Sequence, residues 1–148
     1  MSKLVFKNLR RERDCMKQQI VLDEIVKKRG RRVDGFINYG QKPDMSHYQI
    51  PVIIVEGGHP GKTLLIDAAM HGDETEGSEA IIKLAAELEN MEFNGTFVGV
   101  PALNMEAFAC ISRATLTDGF NLNRIFPGTK DKYITHYLAA EYMERVVS

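Results

Sequence analysis

The chain has 148 residues, enough for one ordinary domain with its own apolar core and with little room for a second. Its 19 basic and 20 acidic side chains leave a formal charge of -1, which argues against a generic nucleic-acid or anionic-membrane binder. Apolar residues at 44% and charged residues at 26% exclude wholesale disorder, and Cys15 and Cys110 match no metal or redox spacing, so both read as reduced thiols of a cytosolic protein.

In chain order, residues 1–32 stand apart as a basic helical segment. Arg10, Arg11 and Arg13 form one cluster, and Lys27, Lys28, Arg29, Arg31 and Arg32 another around Gly30. Between them Met16, Ile20, Leu22, Ile25 and Val26 make an apolar stripe that predicts a helix over 15–28, stopped at Gly30. The basic clusters read as a solvated helix face and loop in preference to a nucleic-acid arm. No signal-peptide core is present at the start, and apolar runs such as 64–66 and 51–55 are too short to span a bilayer.

From Val33 onward short apolar runs are broken by Gly and Pro. Strands are predicted at 32–39 and 49–55, the second rich in Val and Ile. Residues 56–61 read as a hairpin turn, and 62–70 as a strand buried in the sheet interior because it is apolar on both sides. Ala80, Ile81, Leu84, Ala85 and Leu88 recur at helical spacing and predict a helix over 77–88. A short strand at 96–101 follows. Residues 103–110 are ambiguous, and 112–129 are polar and loop-like. Ile134, Leu138, Tyr142 and Val146 step by four and predict a closing helix over 132–147. The alternation implies an α/β domain over 33–148, a layered mixed β-sheet flanked by helices.

The stretch from Gly57 to Thr63 imitates a phosphate-binding P-loop but is one residue short, with Glu56 where the first glycine should stand. Its Lys62-Thr63 pair also opens into a strand, where a P-loop opens into a helix. Nucleotide binding is therefore disfavoured.

Chemistry concentrates in two places. His71-Gly72-Asp73-Glu74 directly follows the strand over 62–70, where α/β folds build their sites. An imidazole and a carboxylate three residues apart can converge on one metal ion, and this donor pair suits zinc. Asp73, Glu74 and Glu76 equally suit a helix N-terminus, so these residues alone leave both readings open. The second place is the loop holding Arg113, Asp118, Asn121, Asn123 and Arg124, closed by Phe126-Pro127-Gly128. Arginine forks there could grip a carboxylate or polarise a carbonyl. A salt-bridged surface loop is the plainer alternative.

Taken together the two stretches resemble the aspartoacylase and succinylglutamate desuccinylase family of the zinc carboxypeptidase superfamily. The resemblance runs through 60–65, 71–77, Val100-Pro101-Ala102-Leu103-Asn104, Arg113 and 118–128, and covers roughly residues 33–145. Met105 departs from it, standing where the family usually has proline. The resemblance implies a zinc-carboxypeptidase-like fold, with His71 and Glu74 as two of three protein ligands to Zn2+. It implies that Arg113 polarises the scissile carbonyl and that Asn123 and Arg124 bind the substrate's free carboxylate. Asp118 and Asn121 would shape the loop and orient those groups. The reaction it implies is hydrolysis of an N-acyl amino acid or related small amide. The family's third ligand, a histidine on a later strand, and its proton-shuttling glutamate have no counterpart here; His136 does not match that pattern. The chain is thus expected to be the N-terminal portion of such an enzyme. It would be a fragment, apparently incomplete at the C-terminus, or a half completed by a partner chain or missing segment, and inactive or weakly active alone.

Overall fold

Among the described residues five strands make one mixed sheet in the order β1-β2-β3-β5-β4. They are β1 (Glu24–Arg29), β2 (Arg32–Gln41), β3 (His47–Glu56), β4 (His59–Asp67) and β5 (Asn94–Val100). This computed structural model describes residues 20–29 and 31–148. Neighbouring strands are antiparallel except β4 and β5, which run parallel and are joined by the crossover helix α1 (Glu76–Leu88). After β5 come α2 (Met105–Ala109), a single 3-10 turn at Leu122–Arg124, and α3 (Ile134–Tyr142), which runs on into a π-type turn at Met143–Val147.

Strand alternation sorts the side chains onto two faces. On one face Val33, Ile37 and Tyr39 of β2, Ile50, Val52 and Ile54 of β3, and Val98 and Val100 of β5 meet Leu103, Leu122, Leu138, Ala139 and Tyr142. On the other, Ile53, Val55 and Phe97 meet Ile81 and Ala85 of α1. Helices therefore cover both faces, as the layered α/β reading requires. Burying side chains the size of Phe97 or Leu138 contributes about 1.5–3 kcal/mol each. Arg145 ties the two ends of the described fold together. Its guanidinium bonds the Asp23 carboxylate at 3.0 Å and the Val21 carbonyl at 2.8 Å.

Strands β2 and β3 and helix α1 lie where the sequence places them, extended by one or two residues, and β5 begins two residues earlier than expected and ends one earlier. Three expectations are corrected. The helix predicted over 15–28 is strand β1 in its second half, pairing antiparallel with β2, and Leu22 joins the sheet's core. The basic residues Arg10, Arg11 and Arg13, Cys15 and Gly30 lie outside the described residues. The stretch 56–61 is not a hairpin turn: β3 and β4 do not pair, because β5 lies between them. Gly57 makes that crossing possible, since a Cβ there would sit 2.3 Å from the Phe93 carbonyl oxygen. Finally, the strand expected in the sheet interior is an edge. Among the described residues β4 has β5 on one side and no strand on the other, Leu64 is 55% exposed, and the strand ends at Asp67. No helix among the described residues is long and apolar enough to cross a membrane.

Candidate active site

Beyond the end of β4 the chain stays pinned to the segment after β5. Ala68 N–H donates to the Val100 carbonyl at 2.9 Å, and the N–H groups of Leu103 and Asn104 donate back to Ala68 and Ala69. At Ala69 the backbone turns through a φ of 50°, a left-handed conformation costly for alanine, and so swings Met70 and His71 off the strand line. Gly72 then passes against α2 so closely that a Cβ would lie 2.0 Å from the Ala107 carbonyl, and its N–H bonds the Ser112 carbonyl at 2.8 Å. These contacts put the His71–Glu74 turn directly beside the loop that carries Arg113.

Four predicted site residues meet there. His71 is buried, and its Nδ1 lies 3.3 Å from Glu74 Oε1. Arg113 Nη1 donates to the same Glu74 oxygen at 2.9 Å and lies 3.8 Å from Asp73 Oδ1. His71 Nε2 lies 3.0 Å from Asn121 Oδ1. That Asn121 oxygen also accepts the Asn123 N–H at 3.0 Å, which fixes the orientation of the amide. Facing an acceptor, Nε2 must carry the hydrogen, so a neutral His71 presents its Nδ1 lone pair toward Glu74. Two acceptors then face each other across 3.3 Å, a contact that only a proton or a cation between them satisfies. The hydrogen bond from Arg113 first, and then His71 whenever its Nδ1 carries a proton, hold the Glu74 carboxyl below its ordinary range, so it is an anion at neutral pH.

Asn123 and Arg124 are the exposed residues of the 3-10 turn that Asn121 caps, and no described residue pairs with the Arg124 guanidinium. Asp118 is placed differently from the other predicted residues. Its carboxylate accepts from Thr135 N–H at 2.8 Å, from Thr135 Oγ1 at 2.6 Å and from Phe120 N–H at 3.2 Å. It therefore pins the loop to the start of α3. His136 packs edge-on against the Phe120 ring at 5.2 Å and takes no part in the cluster.

Sequence reasoning gave no role to Asn104, which is fully buried. Its side-chain oxygen caps α2 through the Ala107 N–H at 3.1 Å, and its amide donates to Thr115 Oγ1 at 2.9 Å. An asparagine just before Met105-Glu106-Ala107 carries a helix N-cap signal that would have found the first of these bonds. A recess of about 290 Å³ opens beside Glu74, lined also by Asp67, Ala68, Ala69, Met70, Glu76 and Gly77. Tyr142 donates to Asp67 Oδ1 at 2.9 Å, and burial beside that carboxylate pushes the Tyr142 phenol far up.

The family model of the succinylglutamate desuccinylase/aspartoacylase catalytic domain matches residues 60–147, the stretch that holds this whole cluster. The chain belongs to this family. A family relative, the Nα-acetyl-L-2,4-diaminobutyric acid deacetylase of Halomonas elongata, is 40% identical over 116 residues, covering 76% of this chain and 33% of the relative. An aspartoacylase-family structure from Mesorhizobium loti superposes with a TM-score of 0.71 at 26% identity, over 84% of this chain and 40% of that one. The product-bound ectoine utilization protein EutE (DoeB) of Ruegeria pomeroyi gives 0.69 at 33% identity, over 84% and 39%. The chain thus spans about a third to two fifths of the length of these family members.

In kind these donors fit a zinc ion, because a neutral His71 aims a free nitrogen lone pair at an ionised carboxylate. Among the described residues, no group of three metal-binding side chains occurs.

Proposed function

We propose that this chain carries part of the active site of a cytosolic zinc-dependent deacylase, which hydrolyses the amide bond of an N-acyl amino acid or related carboxylate-bearing substrate. The observation that supports this reading is the meeting of His71 Nδ1 and Arg113 on one Glu74 oxygen, with Asn121 holding the far nitrogen of the imidazole, in a family-matched domain. His71 Nδ1 and Glu74 would hold the ion, and Asn121 keeps the imidazole in the tautomer that leaves Nδ1 free. Catalytic zinc sites take three protein ligands, so the pair named here supplies two of the three.

When bound, zinc supplies an acidified water, with a pKa of about 7. This chain's own residues would handle the substrate. Arg113 hydrogen-bonds the scissile carbonyl and stabilises the negative charge that grows on its oxygen. The Asn123 amide and the Arg124 guanidinium bind the free carboxylate, and Asp118 keeps their loop docked on α3. The acetyl group and diamino acid named for the Halomonas relative make Nα-acetyl-2,4-diaminobutyrate the first substrate to try.

The deciding measurement is zinc content after equilibrium dialysis. One weakly held zinc per chain is expected; no retention above that of an unrelated chain of equal size would end this reading. Carboxylate recognition has its own check. Arg124→Ala is expected to weaken binding of an N-acyl amino acid to the zinc-loaded chain by about 10-fold, as loss of a charge-assisted hydrogen bond does. Zinc affinity should stay unchanged, with both followed by calorimetry.

A further inference from the structure

We propose that Arg113 is the resident counter-cation of Glu74, and that a metal ion arriving at His71 and Glu74 displaces the guanidinium and so frees it for the substrate carbonyl. This rests on the metal-binding reading of those two residues. Two groups converge on a single atom: Glu74 Oε1 lies 2.9 Å from Arg113 Nη1 and 3.3 Å from His71 Nδ1. The positive charge of Arg113 thus sits on the same carboxylate oxygen that a metal shared with His71 would take. A guanidinium and a divalent cation on one oxygen repel each other, so the site favours one or the other.

Of the two described groups on that oxygen, Arg113 is the one with freedom to leave. The His71 side chain is 6% exposed and held through Nε2 by Asn121, whereas the Arg113 side chain is 56% exposed. The arginine's backbone is nonetheless fixed. Gly72 N–H bonds the Ser112 carbonyl, Ser112 N–H bonds the Ala107 carbonyl at 2.9 Å, and Ala114 N–H bonds Ser112 Oγ at 3.3 Å. The displacement is accordingly a swing of the side chain about a stationary loop. Among the described residues the polar partners of the Arg113 guanidinium are the carboxylates of Glu74 and Asp73, so once a metal neutralises that turn the guanidinium is left without a strong partner there. Metal uptake therefore arms the oxyanion donor, and a substrate carbonyl meets a free guanidinium only after the metal is in place.

The test is a zinc titration of the full chain by calorimetry, with the Arg113 Nε–Hε resonance followed by NMR. Arg113→Gln is expected to bind zinc about 1.5- to 5-fold more tightly than the parent at low salt, the range that an exposed ion pair supports. The gap should close near 1 M salt, where the screening length is ~3 Å. One equivalent of zinc should shift the Arg113 resonance of the parent. If zinc leaves that resonance in place, or if Arg113→Gln binds no more tightly while His71→Ala loses zinc, displacement is wrong and the metal reading stands. If His71→Ala takes up zinc as the parent does, the metal reading itself fails.

Discussion

Replacing His71 with alanine is expected to lower zinc affinity by more than about 100-fold, the upper range for loss of a group that only supports a ligand. The imidazole supplies a nitrogen lone pair that faces Glu74, and its partner Asn121 holds the opposite ring nitrogen at 3.0 Å. Asn121 keeps the Asn123 N–H as a partner in the variant, so the loop loses a single bond and the fold should persist. Alanine at His136 or His59 should leave zinc untouched, because α3 and the start of β4 place these rings outside the cluster. Metal analysis of the three purified variants, beside far-UV circular dichroism, checks this. Unchanged zinc in His71→Ala would remove the ligand assignment.

Gly72→Ala is expected to cost about 3 kcal/mol, near the top of the usual range for overpacking, and to lower Tm by roughly 10 °C. The added methyl would meet backbone atoms of Ala107 at 2.0 Å and of Phe108 at 2.3 Å, none of which can rotate away. Either α2 or the His71 turn must shift, and in both cases the bond from Gly72 N–H to Ser112 stretches. Gly119→Ala is the comparison: its φ of 75° is strained for alanine, but nothing lies within 4 Å of the new methyl. About 1 kcal/mol is expected there. Thermal melts of the two variants distinguish close approach from backbone conformation; equal losses would contradict the account of Gly72.

Both predictions depend on residues whose importance was unequally legible. The chemistry-bearing motifs could be read because metal and carboxylate recognition demand particular side chains at short spacing, and His71 with Glu74 is a local pair. Strands β2 and β3 were legible for a similar reason, since alternation such as Val33, Ile37 and Tyr39 records one buried face. β1 was hidden because Leu22, Ile25 and Val26 fit a helical stripe as well as a strand, and pairing with β2 decided between them. The apolar character of Leu64-Leu65-Ile66 suggested an interior strand, but strand order depends on how α1 carries the chain back, not on composition. The role of Asp118 was equally non-local: its partner Thr135 is 17 residues away, on α3. Contacts such as Tyr142 with Asp67, 75 residues apart, leave no trace in spacing at all.

Asn104 has a consequence for how this region opens. One buried side chain holds the cap of α2 and the Thr115 corner of the arginine loop, while its own N–H is spent on Ala69. Amides at these three places should consequently exchange with solvent hydrogen at one common rate, as a single cooperative unit. The segment that presents Arg113 would then behave as a rigid extension of the β5 end, and a loosened Asn104 would release ligand pair and arginine together.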